Sequence, residues 1–247
     1  MSTIFTPANT EAAAILGGDP NAIHYPGNEF GVQIVGGLHQ LAYAIVQQGW
    51  HLGKTLEIKF REPIAVPSQA EFIPKPDGFV YKNTRVLTEG KYSDGLVPKF
   101  EAVSCFRYFL SDATKASSNW SSLDIIPRKK VAELLGNTEI SDLCAALMLP
   151  ANALARTLAE NPSYLPWLYF PKVREEGHTA VLEDRIVLHM VGNSLNNPFS
   201  IETSAPMQNP NNKRGVILSV QVNGVYSAEI YLTGIPIRAL SRVLKAD

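Results

Sequence analysis

The stretch from Gly36 to Val46 (Gly-Gly-Leu-His-Gln-Leu-Ala-Tyr-Ala-Ile-Val) contains no Asp, Glu, Lys or Arg. At about three turns of helix it is long enough to form a regular element, and being apolar on nearly every side it must be buried on most of its surface. Whatever else the chain does, it has to build a wrapper around this helix. The wrapper follows directly. Beyond Gly53, Lys54 to Phe60 alternates cleanly, with Leu56, Ile58 and Phe60 on one face and Glu57 and Lys59 on the other. Ile64 to Val66, Gln69 to Ile73, a strand candidate made from Phe79-Val80-Tyr81 and Arg85-Val86-Leu87, and the long apolar run Phe100 to Leu110 complete a four-stranded antiparallel meander. Thr6 and Pro7 open an earlier helix as cap and first turn, and Gly17-Gly18 stop it. Residues 1–111 therefore read as an α+β unit in which a sheet wraps one helix.

Ser111 to Ser122 is small, polar and aperiodic, so residues 112–123 read as a linker. Helical stretches follow at Arg128–Leu135, Ser141–Leu149 and Ala151–Glu160. Strands come next, at Arg185–Val191, from Phe199, at Gly215–Val222 and at Val225–Leu232. Residues 124–247 thus repeat the order of elements without repeating residues. With 247 residues and 45% apolar content, two units of moderate size can each bury a core. The formal net charge of -1 provides no bulk attraction to nucleic acid or anionic membranes. Cys105 and Cys144 lie in separate apolar stretches, outside any CxxC or Cys/His cluster. That argues against zinc and for two buried thiols in a reducing compartment. No basic leader with an apolar core opens the chain and no run approaches a membrane span, so the expected location is cytoplasmic.

Chemistry concentrates in Gly18-Asp19-Pro20-Asn21-Ala22-Ile23-His24. A carboxylate, an amide and an imidazole follow a helix stop within one tight turn, and such a segment can aim Asp19 and His24 into the same pocket. A carboxylate beside an imidazole makes a proton-transfer pair usable near neutral pH. By spacing alone the segment could equally be an ordinary Asp-Pro-Asn turn followed by a surface histidine.

The wider pattern says more. Ile15 to His24 resembles the helix-ending Gly-Asp-x-Asn-Pro-apolar-His signature of the R-specific (MaoC-like) enoyl-thioester hydratases. Gln33-Ile-Val-Gly-Gly-Leu38 is similar to their Ile-Val-His-Gly-Met, and Leu56 to Pro67 to their strand ending Phe-x-x-Pro-Val. The three matches occur in the family's order over about residues 6–70. The resemblance implies a hot-dog fold, here as two tandem units forming a pseudo-dimer, with the first unit catalytic and the second non-catalytic. It also implies reversible hydration of trans-2-enoyl thioesters, or dehydration of R-3-hydroxyacyl thioesters, in fatty-acid metabolism. The chain departs from the pattern in four places. Ala22 replaces the usual Pro, Gly36 replaces the usual His, and the stretch from His24 to Gly37 is shortened. The strand that often precedes the first helix is reduced to Ile4-Phe5.

Under this resemblance Asp19 and His24 activate water and shuttle protons, while Asn21 orients the turn or merely stabilises it. Gly37 offers its backbone N–H to the thioester oxygen, and Gly36, Leu38 and His39 line the substrate site. The glycines also suit close helix–sheet packing, His39 suits a buried hydrogen-bonded histidine, and Leu41, Tyr43 and Ile45 suit the core. No metal or redox cofactor is implied. Coenzyme A or an acyl carrier protein enters only as the thioester carrier, and a homodimer of double hot-dogs is a possible assembly. Two rivals stand beside this reading: a hot-dog acyl-thioesterase, disfavoured by the lack of Asp or Glu in Gly37–Val46, and a degenerate acyl-thioester-binding protein.

Overall fold

The computed structural model describes residues 5–68, 70–95, 100–112, 125–136, 140–160, 179–236 and 240. The chain opens with α1 (Pro7–Gly17), a short 3-10 turn (Ala22–His24) and β1 (Gln33–Ile34), then α2 (Gly37–Gln48). Six strands follow: β2 (Thr55–Phe60), β3 (Ala65–Val66), β4 (Glu71–Lys75), β5 (Gly78–Lys82), β6 (Val86–Ser93) and β7 (Ala102–Ser111). After β8 (Ile125–Pro127) come α3 (Arg128–Leu135), α4 (Ser141–Met148) and α5 (Pro150–Glu160). The strands β9 (Thr179–Met190), β10 (Phe199–Ser204), β11 (Met207–Gln208), β12 (Gly215–Val222) and β13 (Tyr226–Pro236) complete it.

One long sheet runs in the order β4-β5-β6-β2-β9-β13-β12-β10-β7-β8, with β11 beside β12 and with β1 and β3 forming a separate pair. Its middle seam is the antiparallel pairing of β2 with β9, where Leu56 faces Leu188 and Ile58 faces Ile186; all four are fully buried. On each side of the seam a helix sits against its own half of the sheet. Tyr81 on β5 donates its hydroxyl to the Gln40 carbonyl of α2 at 2.9 Å, and Thr88 on β6 donates to the Gln40 side chain at 2.7 Å. Tyr226 on β13 does the same for the Ala146 carbonyl of α4 at 2.6 Å. A sheet wrapped round a buried helix, twice over and joined edge to edge, is the tandem hot-dog architecture within the α+β class. In each half the central strand after the helices, β2 or β9, pairs with a later strand of its own half, β6 or β13.

This symmetry corrects one expectation. Phe100–Leu110 does not close a meander with the first-half strands. As β7 it pairs with β10 from Phe199↔Tyr108 to Ser204↔Ala102, at the far end of the sheet. It is the pre-helix strand of the second repeat. The run Phe79–Leu87 is likewise two strands, β5 and β6, forming a hairpin. Of the expected linker at 112–123, all but Asp112 falls outside the described residues. Cys144 is buried on α4, but Cys105 is exposed rather than buried. On β7 the period of two sends Phe106, Tyr108 and Leu110 into the core and turns Cys105 outward. Of Ile4-Phe5, only Phe5 is described, packed on the rings of His39, Tyr43 and Tyr81.

Candidate active site

The turn that carries Asp19 and His24 is set by local chemistry. Thr6 caps α1 with a reciprocal bond to Asn9, and Gly18 ends the helix at φ 61, a left-handed conformation that favours glycine. Asp19 then folds back on its own segment: its Oδ1 accepts the Asn21 backbone N–H at 2.9 Å. Its backbone carbonyl accepts the Tyr25 hydroxyl at 2.7 Å. Gln33 donates to the His24 carbonyl at 2.7 Å and to the Pro7 carbonyl at 2.9 Å, tying the turn to α1.

The turn brings the two candidate groups together. Asp19 Oδ2 lies 3.3 Å from His24 Nε2; the His24 side chain is 3% exposed and that of Asp19 17%. The other ring nitrogen, Nδ1, donates to the Ile34 carbonyl at 2.7 Å. That bond fixes the ring so that Nε2 is the nitrogen facing Asp19. Burial alone would push His24 towards the neutral form. The charge and hydrogen bond of Asp19, the charge of Glu183 and the Ile34 carbonyl outweigh it and raise the imidazole to about 9. The imidazole beside Asp19 is thus held in its protonated form at neutral pH.

Gly37 begins α2, with Gly36 as its cap residue. Its N–H is one of the donors that a helix start leaves without an intrahelical partner. Here it points at the carboxylate of Glu183, 3.4 Å from Oε2. Gly37 also has to be small: a Cβ there would stand 2.8 Å from Cζ of Phe60 and 3.1 Å from the Glu183 carboxyl carbon. The Glu183 carboxyl is held above the usual range by burial and by the negative charge of Asp19, with His24 and the Gly37 amide pulling the other way.

Glu183 was not visible in the sequence, for a geometric reason. On β9, Ile186, Leu188 and Met190 face the core, so simple alternation would turn Glu183 outward. The ladder to β13 slips by one residue: Arg185 pairs with Tyr231 and Glu183 with Leu232, leaving Asp184 as the extra residue of a bulge. The bulge reverses the alternation and puts Glu183 on the same face as the buried Leu232. The only hint in the sequence was the adjacent acid pair Glu183-Asp184 at the front of an apolar strand.

The remaining predicted residues lie close by. A cavity of about 20 Å³, room for a single water, is lined by Asp19, His24, Gly36, Leu38, His39 and Glu183, among others. His39 is buried as expected, and its Nδ1 has no hydrogen-bond partner among the described residues. Burial and the charge of His24 lower it to about 4, so it is neutral and packs edge-on to Phe5. Asn21 reaches across the seam and donates to the Val181 carbonyl at 2.6 Å. Two larger cavities flank the small one. The first, about 440 Å³, contains Gly37, Phe60, Arg61 and Arg214; the second, about 420 Å³, runs from Asp19 along α5, past Leu154, Ala155 and Leu158. Glu183 lines all three.

The fold and this site define a tandem hot-dog protein with a carboxylate–imidazole pair at the start of its first central helix. No protein-family model and no curated protein matches the chain. Among solved structures it is similar to a MaoC-like dehydratase, at 8% identity over 95% of each chain with a TM-score of 0.47. It is also similar to the bifunctional dehydratase-cyclase domain of ambruticin biosynthesis, at 10% identity over 99% of this chain and 93% of that one, TM-score 0.46. A third is the acyl-CoA thioesterase II of Mycobacterium marinum, at 9% identity over 83% of this chain and 91% of that one, TM-score 0.44. Identities and TM-scores this low leave the chemistry to be argued from the chain's own residues.

Proposed function

We propose that this chain adds water reversibly across the double bond of trans-2-enoyl thioesters, with coenzyme A or the phosphopantetheine of an acyl carrier protein as the carrier. The observation that carries the reading is the water-sized cavity with Asp19 and His24 side by side on its wall and the Gly37 helix start adjoining. In the hydration direction Asp19 takes a proton from water as its oxygen bonds the β-carbon. The π electrons shift through the α-carbon onto the thioester oxygen, where the Gly37 N–H stabilises the developing negative charge. Collapse of this enolate takes a proton from His24 Nε2 onto the α-carbon, and the proton held by Asp19 passes to His24 to restore the pair. The net change is one water added, with no redox step.

A second reading has one observation in its favour. Hydrolysis of the thioester needs a carboxylate near the central helix, and although α2 carries none, β9 delivers Glu183 to its first residue. Crotonyl-CoA separates the two. Under the hydratase reading the enoyl absorbance falls without release of thiol, whereas stoichiometric free thiol identifies a thioesterase. Neither change, with the protein folded, leaves only a binding role and overturns the proposal.

A further inference from the structure

Glu183 occupies the one place in the proposed mechanism that a substrate oxygen has to take. Its carboxylate sits on the Gly37 amide, and it is the side chain common to the small cavity and both flanking ones. A thioester whose carbonyl meets Gly37 and whose β-carbon meets Asp19 and His24 has its carrier arm on the Phe60–Arg61 side. Carbons beyond the β-position must then travel past Glu183 towards α5. That second space is lined by Leu38, Leu154, Ala155, Leu158, Val181 and Leu232, which suits an unbranched hydrocarbon chain. A crotonyl group ends before it.

We propose that Glu183 is a specificity-determining residue that divides carrier cleft from acyl cavity, and that its displacement from the Gly37 amide admits substrates with acyl chains longer than crotonyl. The inference rests on the hydratase reading above. The geometry makes displacement feasible: at 3.4 Å the bond to Gly37 is long, and Phe60 beside it is only half-buried. A carboxylate is also well placed at a helix start, where the dipole favours negative charge. Substrate oxygen and Glu183 oxygen therefore compete for one donor, and the competition is felt most by acyl groups that need the space behind it.

The test compares KM and kcat for crotonyl-CoA and trans-2-decenoyl-CoA in the full chain, in Glu183→Ala and in Glu183→Gln. Removing the carboxylate should lower KM for the decenoyl substrate relative to the crotonyl one by about ten-fold, the scale of one weak bond to a charged group. Glu183→Gln keeps the shape and drops the charge, so it should move the same ratio by less. It also serves if Glu183→Ala fails to fold. Ala155→Trp, which fills the acyl cavity, should raise KM for the decenoyl substrate more than for the crotonyl one. An unchanged ratio in both Glu183 variants overturns the inference and leaves the hydratase reading standing. So does a collapse of kcat on both substrates with KM retained, which would make Glu183 a proton-transfer group. Wild-type protein that hydrates neither thioester brings down the hydratase reading, and the inference with it.

Discussion

The side-chain amide of Asn21 lies 2.6 Å from the backbone carbonyl of Val181, so the turn that carries Asp19 and His24 is pinned to a strand of the other half of the chain. Asn21 also supplies the backbone N–H that holds Asp19 Oδ1. Replacing it by Ala leaves that second bond in place and removes the first. Asn21→Ala should cost about 1 kcal/mol of stability, the usual net value of one such bond, and lower Tm by about 2–4 °C. Because the lost bond positions the turn, kcat/KM should fall by more than the stability change alone explains. A variant that loses stability at full activity would make Asn21 a purely structural residue.

Asp19→Asn keeps the shape of the side chain, His24→Gln keeps a polar group in place of the ring, and both remove the proton-transfer role. Each should lower turnover by about two to four orders of magnitude while the fold persists. Stopped-assay kinetics on crotonyl-CoA, with circular dichroism as the folding control, decides the point. Retention of more than a third or so of wild-type activity in a folded variant would exclude the pair.

The pH profile has a definite sign. His24 is raised to about 9, so its charged form persists through neutral pH and is lost as pH climbs through that value. Activity that needs the imidazolium should fall on the alkaline side with an apparent pKa near 9. The stability contributed by the ion pair should follow: fully present below the ordinary histidine range, lost as pH rises through about 9. In Asp19→Asn the principal raising influences are gone while burial remains, so the His24 titration should move to lower pH. Imidazole NMR shifts followed against pH give the result, and an unmoved His24 would show that Asp19 is not its partner.

Gly36 and Gly37 should respond differently to a side chain. A Cβ at Gly36 meets the His24 ring at 3.5 Å, an ordinary contact, whereas at Gly37 it meets Phe60 at 2.8 Å and the Glu183 carboxyl carbon at 3.1 Å. Gly37→Val should therefore lose about 1–3 kcal/mol to overpacking and most of its activity. Gly36→Ala should be the milder change in both Tm and kcat/KM, with Gly36→His next. A reversed order would mean that the substrate approaches over Gly36 instead.

Much of this was legible in the sequence because it is local. The uncharged run to Val46 announced a buried helix, Gly18 announced the stop of the helix before it, and the Asp19–His24 turn is closed largely by bonds within a few residues. What was missed depends on partners far along the chain. β7 alternates well enough to be a strand, but alternation does not say which strand lies beside it, and its neighbour β10 is in the second half. Glu183 meets Gly37 across a separation of 146 residues. Even a correct assignment of β9 would have turned it outward, since regular pleating from Ile186 and Leu188 puts odd-numbered residues on the opposite face.

The bulge at Asp184 thus splits β9 into two parts that are out of step. The part after it follows the even positions that zip the two halves together, while the part before it follows the odd positions that supply Val181 and Glu183 to the site. A single residue of chain length works here like a frameshift. Inserting or deleting one residue between Val181 and Ile186 would redraw which acidic side chain meets the helix start without touching any of the groups argued to move protons. In this segment spacing is under the same chemical constraint as identity, and natural or engineered length changes in β9 should be read as changes to the candidate site.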